Sequence, residues 1–313
     1  MLSKRLRRRL RQIDDGPPEG DRAVERGRSR PADSEPVHLG DPTLSRGRLT
    51  RQAHGAAGRP RVERPRGLAR GPLAALAPGE VFECDDGACW LVAGPAREML
   101  PHGAEILERF ERLTALLGER GGGPLDALRG LAPSDLVLLD TETAGLSAAP
   151  VFLVGVIVWE TDAVSEALSL QFFARDYAEE RAVLAASAEL MRGRRALMTY
   201  NGRSFDLPLM RERMIYHGLG ECPEPATHID LLHAIRARFR SRWENCRLQT
   251  CEKRLCGRSR WGDIEGAAIP DAWHQFVHTG EAGEMAQVLE HNRLDLITML
   301  EILPHIGDPG EDT

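Results

Sequence analysis

No apolar run in this 313-residue chain can cross a membrane as a helix: the longest, Val151 to Trp159, has nine residues against the roughly 20 required. The basic opening Met1-Leu2-Ser3-Lys4-Arg5-Leu6-Arg7-Arg8-Arg9-Leu10 has no apolar segment after it, so a secretory leader is not expected. Both absences point to a soluble, cytoplasmic protein without a membrane partner. A phosphate-binding loop is also missing, since Gly121-Gly122-Gly123 lacks the Lys-Ser/Thr such a loop requires, and no nucleotide cofactor is expected. Cysteine is sparse, at six residues, and in an intracellular chain these are read as reduced thiols rather than a disulfide framework. Cys246, Cys251 and Cys256 repeat every five residues, which turns each thiol off the preceding helix face, so no zinc or iron–sulfur site is expected there.

What the chain does have is unevenly spread. Residues 1–70 carry 18 Lys/Arg against 9 Asp/Glu, whereas residues 71–313 carry 23 against 38. A body this acidic does not hold nucleic acid by bulk charge, so any such contact must be local. Residues 1–72 read as a basic disordered tail, rich in Arg, Gly, Pro, Asp and Ser, with Leu2, Leu6 and Leu10 on one side of a short amphipathic start. Residues 73–123 read as a small hairpin-plus-helix appendage. Val81–Cys84 and Ala88–Val92 flank the turn signal Asp85-Asp86-Gly87. Ile106, Leu107, Phe110, Leu113, Leu116 and Leu117 then recur at helical spacing, and Arg120 to Gly123 is a linker.

The main domain is expected over 134–306. Leu136–Asp140, Val151–Trp159 and Leu168–Phe173 are strands joined by connections too short for crossovers, so they must be antiparallel neighbours. Helix 178–191, strand 196–200, helix 205–217 and strand 227–230 alternate after them, which implies parallel pairing. The expected fold is α/β: a mixed sheet, three antiparallel strands then parallel strands, flanked by helices. A last helix is expected over 284–303.

The chemistry begins at Asp140-Thr141-Glu142, where the first of these strands stops. Residues i and i+2 of a strand share a face, so both carboxylates aim at one point, and a divalent cation is the usual answer to their repulsion. A second candidate lies in Tyr200-Asn201-Gly202-Arg203-Ser204-Phe205-Asp206, where Asp206 falls in the first turn of a helix whose dipole favours a carboxylate. The third is His291-Asn292-Arg293-Leu294-Asp295, with His291 and Asp295 four apart on one helix face. His228-x-Asp230 is better explained by Asp230 capping the next helix.

These three motifs together resemble the DEDD 3′–5′ exonuclease superfamily. The resemblance implies a ribonuclease H-like domain and a metal-dependent nuclease. Asp140, Glu142, Asp206 and Asp295 would hold two divalent cations, Mg²⁺ or Mn²⁺, and Asp140 would bridge them. His291 would position or deprotonate the attacking water, although it stands at H-x3-D spacing, the register those enzymes use for tyrosine. A closer resemblance, from about Gly79 onward, is to the bacterial YprB-type ribonuclease H-like family. It rests on His228-Ile229-Asp230-Leu231-Leu232, Asn245-Cys246-Arg247-Leu248-Gln249-Thr250, Gly262-Asp263-Ile264-Glu265-Gly266 with Ile269-Pro270, and His291-Asn292 with Asp295-Leu296.

Nine basic residues, Arg236, Arg238, Arg240, Arg242, Arg247, Lys253, Arg254, Arg258 and Arg260, fall within 25 positions, interleaved with Phe239, Trp243 and Trp261. That is the expected resting place for a nucleic-acid strand, single-stranded or a 3′ end. Arg236, Arg240, Trp243 and Arg247 are the expected contacts there, with Thr143, Asn201 and Phe205 beside the acids. A structure-selective endonuclease and a non-catalytic nucleic-acid-binding module are the alternative functions.

Overall fold

In this computed structural model, residues 69–307 are described, apart from 101, 120–124, 147 and 261, together with Arg8. Nearly all of the expected tail, the linker from Arg120 to Gly123, and Trp261 therefore lie outside the described residues. Seven strands form one mixed sheet: β1 (Glu80–Cys84), β2 (Gly87–Pro95), β3 (Leu136–Thr143), β4 (Val151–Val158), β5 (Leu168–Phe173), β6 (Ala196–Thr199) and β7 (Thr227–Asp230), in the order β1-β2-β5-β4-β3-β6-β7. β3, β4 and β5 pair antiparallel, and β6 and β7 extend the sheet in parallel from β3. This is the mixed α/β layout expected from the connection lengths. The hairpin joins the same sheet, because β2 pairs antiparallel with β5. Its turn differs slightly from expectation: Cys84 pairs with Gly87, so Asp85-Asp86 form the turn and Gly87, at φ +124°, opens β2.

The principal helices are α1 (Gly103–Glu119), α2 (Glu180–Met191), α3 (Asp206–Tyr216), α4 (Leu231–Phe239), α5 (Leu248–Cys251), α6 (Ile269–Thr279) and α7 (Gly283–Gly307). Alternation along β3 divides the core between the two sheet faces. Val137 and Leu139 pack with residues of α2, α3 and α6, while Leu136 and Leu138 pack with α1, α4, α5 and the C-terminal half of α7. Asp140 and Glu142 continue the second of these faces, so the strand that builds the core also delivers two acids to α7. Among the described residues no helix is long and apolar enough to cross a membrane.

One buried ion cluster ties the layers together. Glu180, at the start of α2, accepts hydrogen bonds from the Val151 amide (2.9 Å), from Arg213 Nε (2.7 Å) and Nη2 (2.6 Å), and faces His217 Nε2 at 2.9 Å. Burial would raise this carboxyl, but the bonds from Arg213, His217 and Val151 outweigh it and hold Glu180 below its ordinary 4.5. The depressed value means that the contribution to stability is present above about pH 4.5 and is lost as pH falls through the folded value. Glu180→Ala strands the buried Arg213 charge and is expected to cost about 3–5 kcal/mol in chemical denaturation. A cost below 1 kcal/mol would show that water readily replaces the carboxylate.

Candidate active site

The strand end fixes the first two acids. Asp140 and Glu142 lie on one face of β3 and remain partly exposed, and a register shift between Glu142 and Thr143 marks a bulge just beyond them. Thr143 is buried and donates its hydroxyl to the Gly145 carbonyl at 2.6 Å. The third acid, Asp206, is the buried first residue of α3. Its Oδ1 accepts from the backbone amide (3.0 Å) and hydroxyl (2.6 Å) of Thr141, the residue between the first two acids.

The turn that presents Asp206 is held by Asp230. As the N-cap of α4 it accepts from Leu232 N (3.1 Å), and the same carboxylate accepts from the amides of Asn201 (2.8 Å) and Arg203 (3.2 Å). Asn201 stands at φ +69°, a conformation asparagine tolerates better than most residues. Gly202 is there for space, since a Cβ would lie 2.4 Å from Thr199 Oγ1. Phe205 occupies the N-cap of α3 and packs against the core on that side.

The fourth acid comes from α7, and the helix is docked by a residue between the two that sequence singled out. Asn292, fully buried, donates Nδ2 to Asp140 Oδ2 (2.8 Å) and to the Asp140 carbonyl (3.2 Å). Its Oδ1 accepts from Gln171 Nε2 of β5 at 2.8 Å, and Gln171 also donates to the Leu289 carbonyl at 2.7 Å. Between them lies Gly155 of β4, paired to Asp140 on one side and Gln171 on the other. Three adjacent strands thus read one helix. Gln171 is a lone amide in an apolar strand and Gly155 a lone glycine in another, both signals of close approach that sequence reading passed over.

His291 and Asp295 stand one turn apart with Nε2 3.8 Å from Asp295 Oδ2, so the H-x3-D spacing places both on one face. Arg260 donates Nη2 to Asp295 Oδ1, and its Nε donates to the buried Glu252 at 2.6 Å. Arg258 pairs with Glu252 (2.6 Å) and Glu301 (2.9 Å). Two of the nine basic residues expected to meet a strand are therefore turned inward, because Glu252 and Asp295 lie inside and require cations. Phe239 is likewise in the core, with half-buried Trp243 stacked on it at 4.1 Å, whereas Arg236, Arg240 and Arg247 are exposed.

Burial, with crowding second to it, sets the charge state of the centre. Burial, then the charges of Asp295, Glu142 and Asp206, hold Asp140 well above the usual carboxylate range, against the Asn292 hydrogen bond. Burial raises Glu142 to about 8 even though the His291 charge lowers it, and burial raises Asp206 to about 6 against its Thr141 bonds. Asp295 is raised by burial against the pull of Arg260 and His291. For His291 burial acts downward, but the Asp263 hydrogen bond and the charges of Asp295 and Glu142 prevail and bring it to about 8.

Among the described residues no group of three or more His, Cys, Asp and Glu side chains is arranged to hold a metal ion. One oxygen each of Asp206 and Asp295 is turned to Thr141 and Arg260. The donor chemistry nevertheless fits hard divalent cations: four carboxylates brought together by one strand and two helices, each raised above its ordinary value by burial.

A ribonuclease H-like sheet carrying a crowded carboxylate centre at the end of β3 defines the class of protein. The family model described as RNase_H superfamily matches residues 137–306, and the chain belongs to that superfamily. A curated relative is the uncharacterized protein YprB of Bacillus subtilis (strain 168), 27% identical over 212 residues, covering 66% of this chain and 50% of the relative. The chain thus spans about half the length of the curated relative it matches. Among solved structures, the family B DNA polymerase of Pyrobaculum calidifontis is 18% identical with a TM-score of 0.41, over 54% of this chain and 24% of that one. Brucella melitensis NrnC bound to pGG is 17% identical with a TM-score of 0.30, over 55% of this chain and 83% of that one.

Proposed function

We propose that this protein is a metal-dependent nuclease that hydrolyses phosphodiester bonds of nucleic acid, acting as a 3′–5′ exonuclease of the DEDD type. One observation carries the reading: Asp206 is bonded to Thr141, between Asp140 and Glu142, and the helix bearing Asp295 is docked on Asp140 through Asn292, so one strand and two helices bring the four acids together. A domain without catalysis has no reason to gather four carboxylates in one place. Two divalent cations, Mg²⁺ or Mn²⁺, held by these four acids would stabilise the attacking and leaving oxygens of a phosphodiester.

The remaining work falls to the chain's own groups. His291 Nε2 takes a proton from water as the water oxygen bonds to phosphorus and the bond to the sugar oxygen breaks. The leaving oxygen is then protonated from solvent or from the imidazolium. Exposed Arg236, Arg240 and Arg247 hold the phosphate backbone of a single strand or 3′ end, and Trp243 offers a face for a base. Thr143, Asn201 and Phe205 shape the rim next to the acids.

The test is digestion of end-labelled single- and double-stranded DNA and RNA with Mg²⁺ or Mn²⁺, beside Asp140→Ala. A ladder shortening one nucleotide at a time from the 3′ end, lost in the variant, supports the reading. Discrete internal products would make the protein an endonuclease, and binding without cleavage a non-catalytic module.

A further inference from the structure

The motif Gly262-Asp263-Ile264-Glu265-Gly266 has no role in the chemistry set out so far, yet the fold brings its aspartate to the histidine of α7. Asp263 lies between α5 and α6 and offers both carboxylate oxygens to His291 Nδ1, at 2.9 and 2.8 Å. Its position is built rather than incidental. Gln287, one turn before His291 on α7, donates to the Gly262 carbonyl at 3.1 Å, so two consecutive residues of the motif dock on the same helix. Gly262 stands at φ +74°, which makes glycine the natural residue for the bend that turns Asp263 towards the helix. Arg260 reaches Asp263 from the other side at 3.4 Å and is itself fixed by buried Glu252.

His291 is nearly buried, so its two nitrogens face different surroundings: Nδ1 meets Asp263, and Nε2 points along the helix face towards Asp295. A carboxylate can only accept, so the neutral imidazole must carry its proton on Nδ1 and leave the Nε2 lone pair facing the acids. We propose that Asp263 is the positioning residue of His291, fixing the ring orientation and the tautomer in which Nε2 is free to take a proton. The inference rests on the nuclease reading and deepens it, adding to the four acids a histidine–aspartate pair that sequence spacing alone did not reveal. The ring is thus oriented by a residue 28 positions earlier in addition to its place on the helix.

The experiment uses the full chain with Asp263→Asn. The amide can donate to Nδ1 and so favour the Nε2–H tautomer, which cannot accept a proton. The expected result is a fall in kcat of about 10–100-fold, typical for loss of an orienting partner, with KM and Mn²⁺ affinity unchanged. In the His291→Ala background the same change should cost little further, because Asp263 acts on kcat through the histidine, while the asparagine oxygen can keep the contact with Arg260. Independently of activity, ¹H–¹⁵N spectra recorded above pH 8 should show the wild-type imidazole protonated on Nδ1. A full additional loss in the double variant, or a wild-type ring protonated on Nε2, would overturn the assignment. A wild type that cleaves nothing overturns the nuclease reading instead, and the spectrum still decides whether the pair exists.

Discussion

Asn in place of Asp140 is expected to give a protein that melts higher than the wild type in the absence of metal and that cleaves nucleic acid at least about 10³-fold more slowly, the upper end of the range for removing one preorganised electrostatic group. The two effects have one cause. Asp140 is raised well above its ordinary 3.8 by burial and by Asp295, Glu142 and Asp206, so in the ionised form it opposes folding. Asparagine keeps an oxygen to accept from Asn292 Nδ2 and thus preserves the docking of α7 while removing the charge. Each kcal/mol of relieved repulsion corresponds to about 2–4 °C in Tm.

The sign of the pH dependence follows. Carboxyls whose folded values are raised keep their protons after the unfolded chain has lost them. The metal-free wild type therefore loses stability as pH rises from the ordinary carboxylate values, 3.8 for Asp140 and 4.5 for Glu142, through the folded value of about 8 for Glu142. The variant should show a shallower decline. An Asp140→Asn protein that melts lower than wild type at neutral pH without metal would mean that the carboxylate is paired rather than repelled.

Gly155→Ala is expected to remove activity while leaving all four acids and His291 in the sequence. A Cβ at that position would lie 2.0 Å from Asn292 Oδ1, 2.8 Å from its Cγ and 2.9 Å from Leu296 Cδ1, closer than atoms can approach. Either β4 bows or α7 retreats, and overpacking of this kind costs about 1–3 kcal/mol. Retreat of α7 carries Asn292 away from Asp140 and takes His291 and Asp295 with it. A misplacement of about 1 Å can cost 10²-fold in rate. Gly266→Ala, where the added methyl meets nothing, serves as the control and should stay within about 0.5 kcal/mol of wild type. Full activity in Gly155→Ala would show that the Asn292 docking does not position the centre.

The sheet was legible because its signals are local: apolar runs set the strands, and connection length alone decided antiparallel β3, β4 and β5 against parallel β6 and β7. Helix starts shifted by a residue or two, as at Glu180 and Asp206, and the last helix runs to Gly307, four residues beyond its expected end at 303. The acids were legible as types at fixed spacing. What sequence did not disclose is what holds them, because each support joins positions far apart in the chain. Gln171 to Asn292 spans 121 positions, and Asn292 to Asp140 spans 152. Arg260 shows the opposite failure: placed among exposed arginines by composition, it is internal because the fold sets it between Glu252 and Asp295. Periodicity gives the face a residue occupies on its own element, not the charge waiting across the interface.

The most direct measurement of the carboxylate centre is the effect of Mn²⁺ on Tm for wild type and Asp140→Asn. Ligands that bind only the folded state stabilise it by mass action, and a cation among four repelling acids adds relief of that repulsion. Wild type should gain Tm steadily with Mn²⁺, and the variant should start higher and gain little. A wild-type Tm indifferent to Mn²⁺, or a variant that responds as strongly, would contradict a metal-binding role for Asp140, Glu142, Asp206 and Asp295.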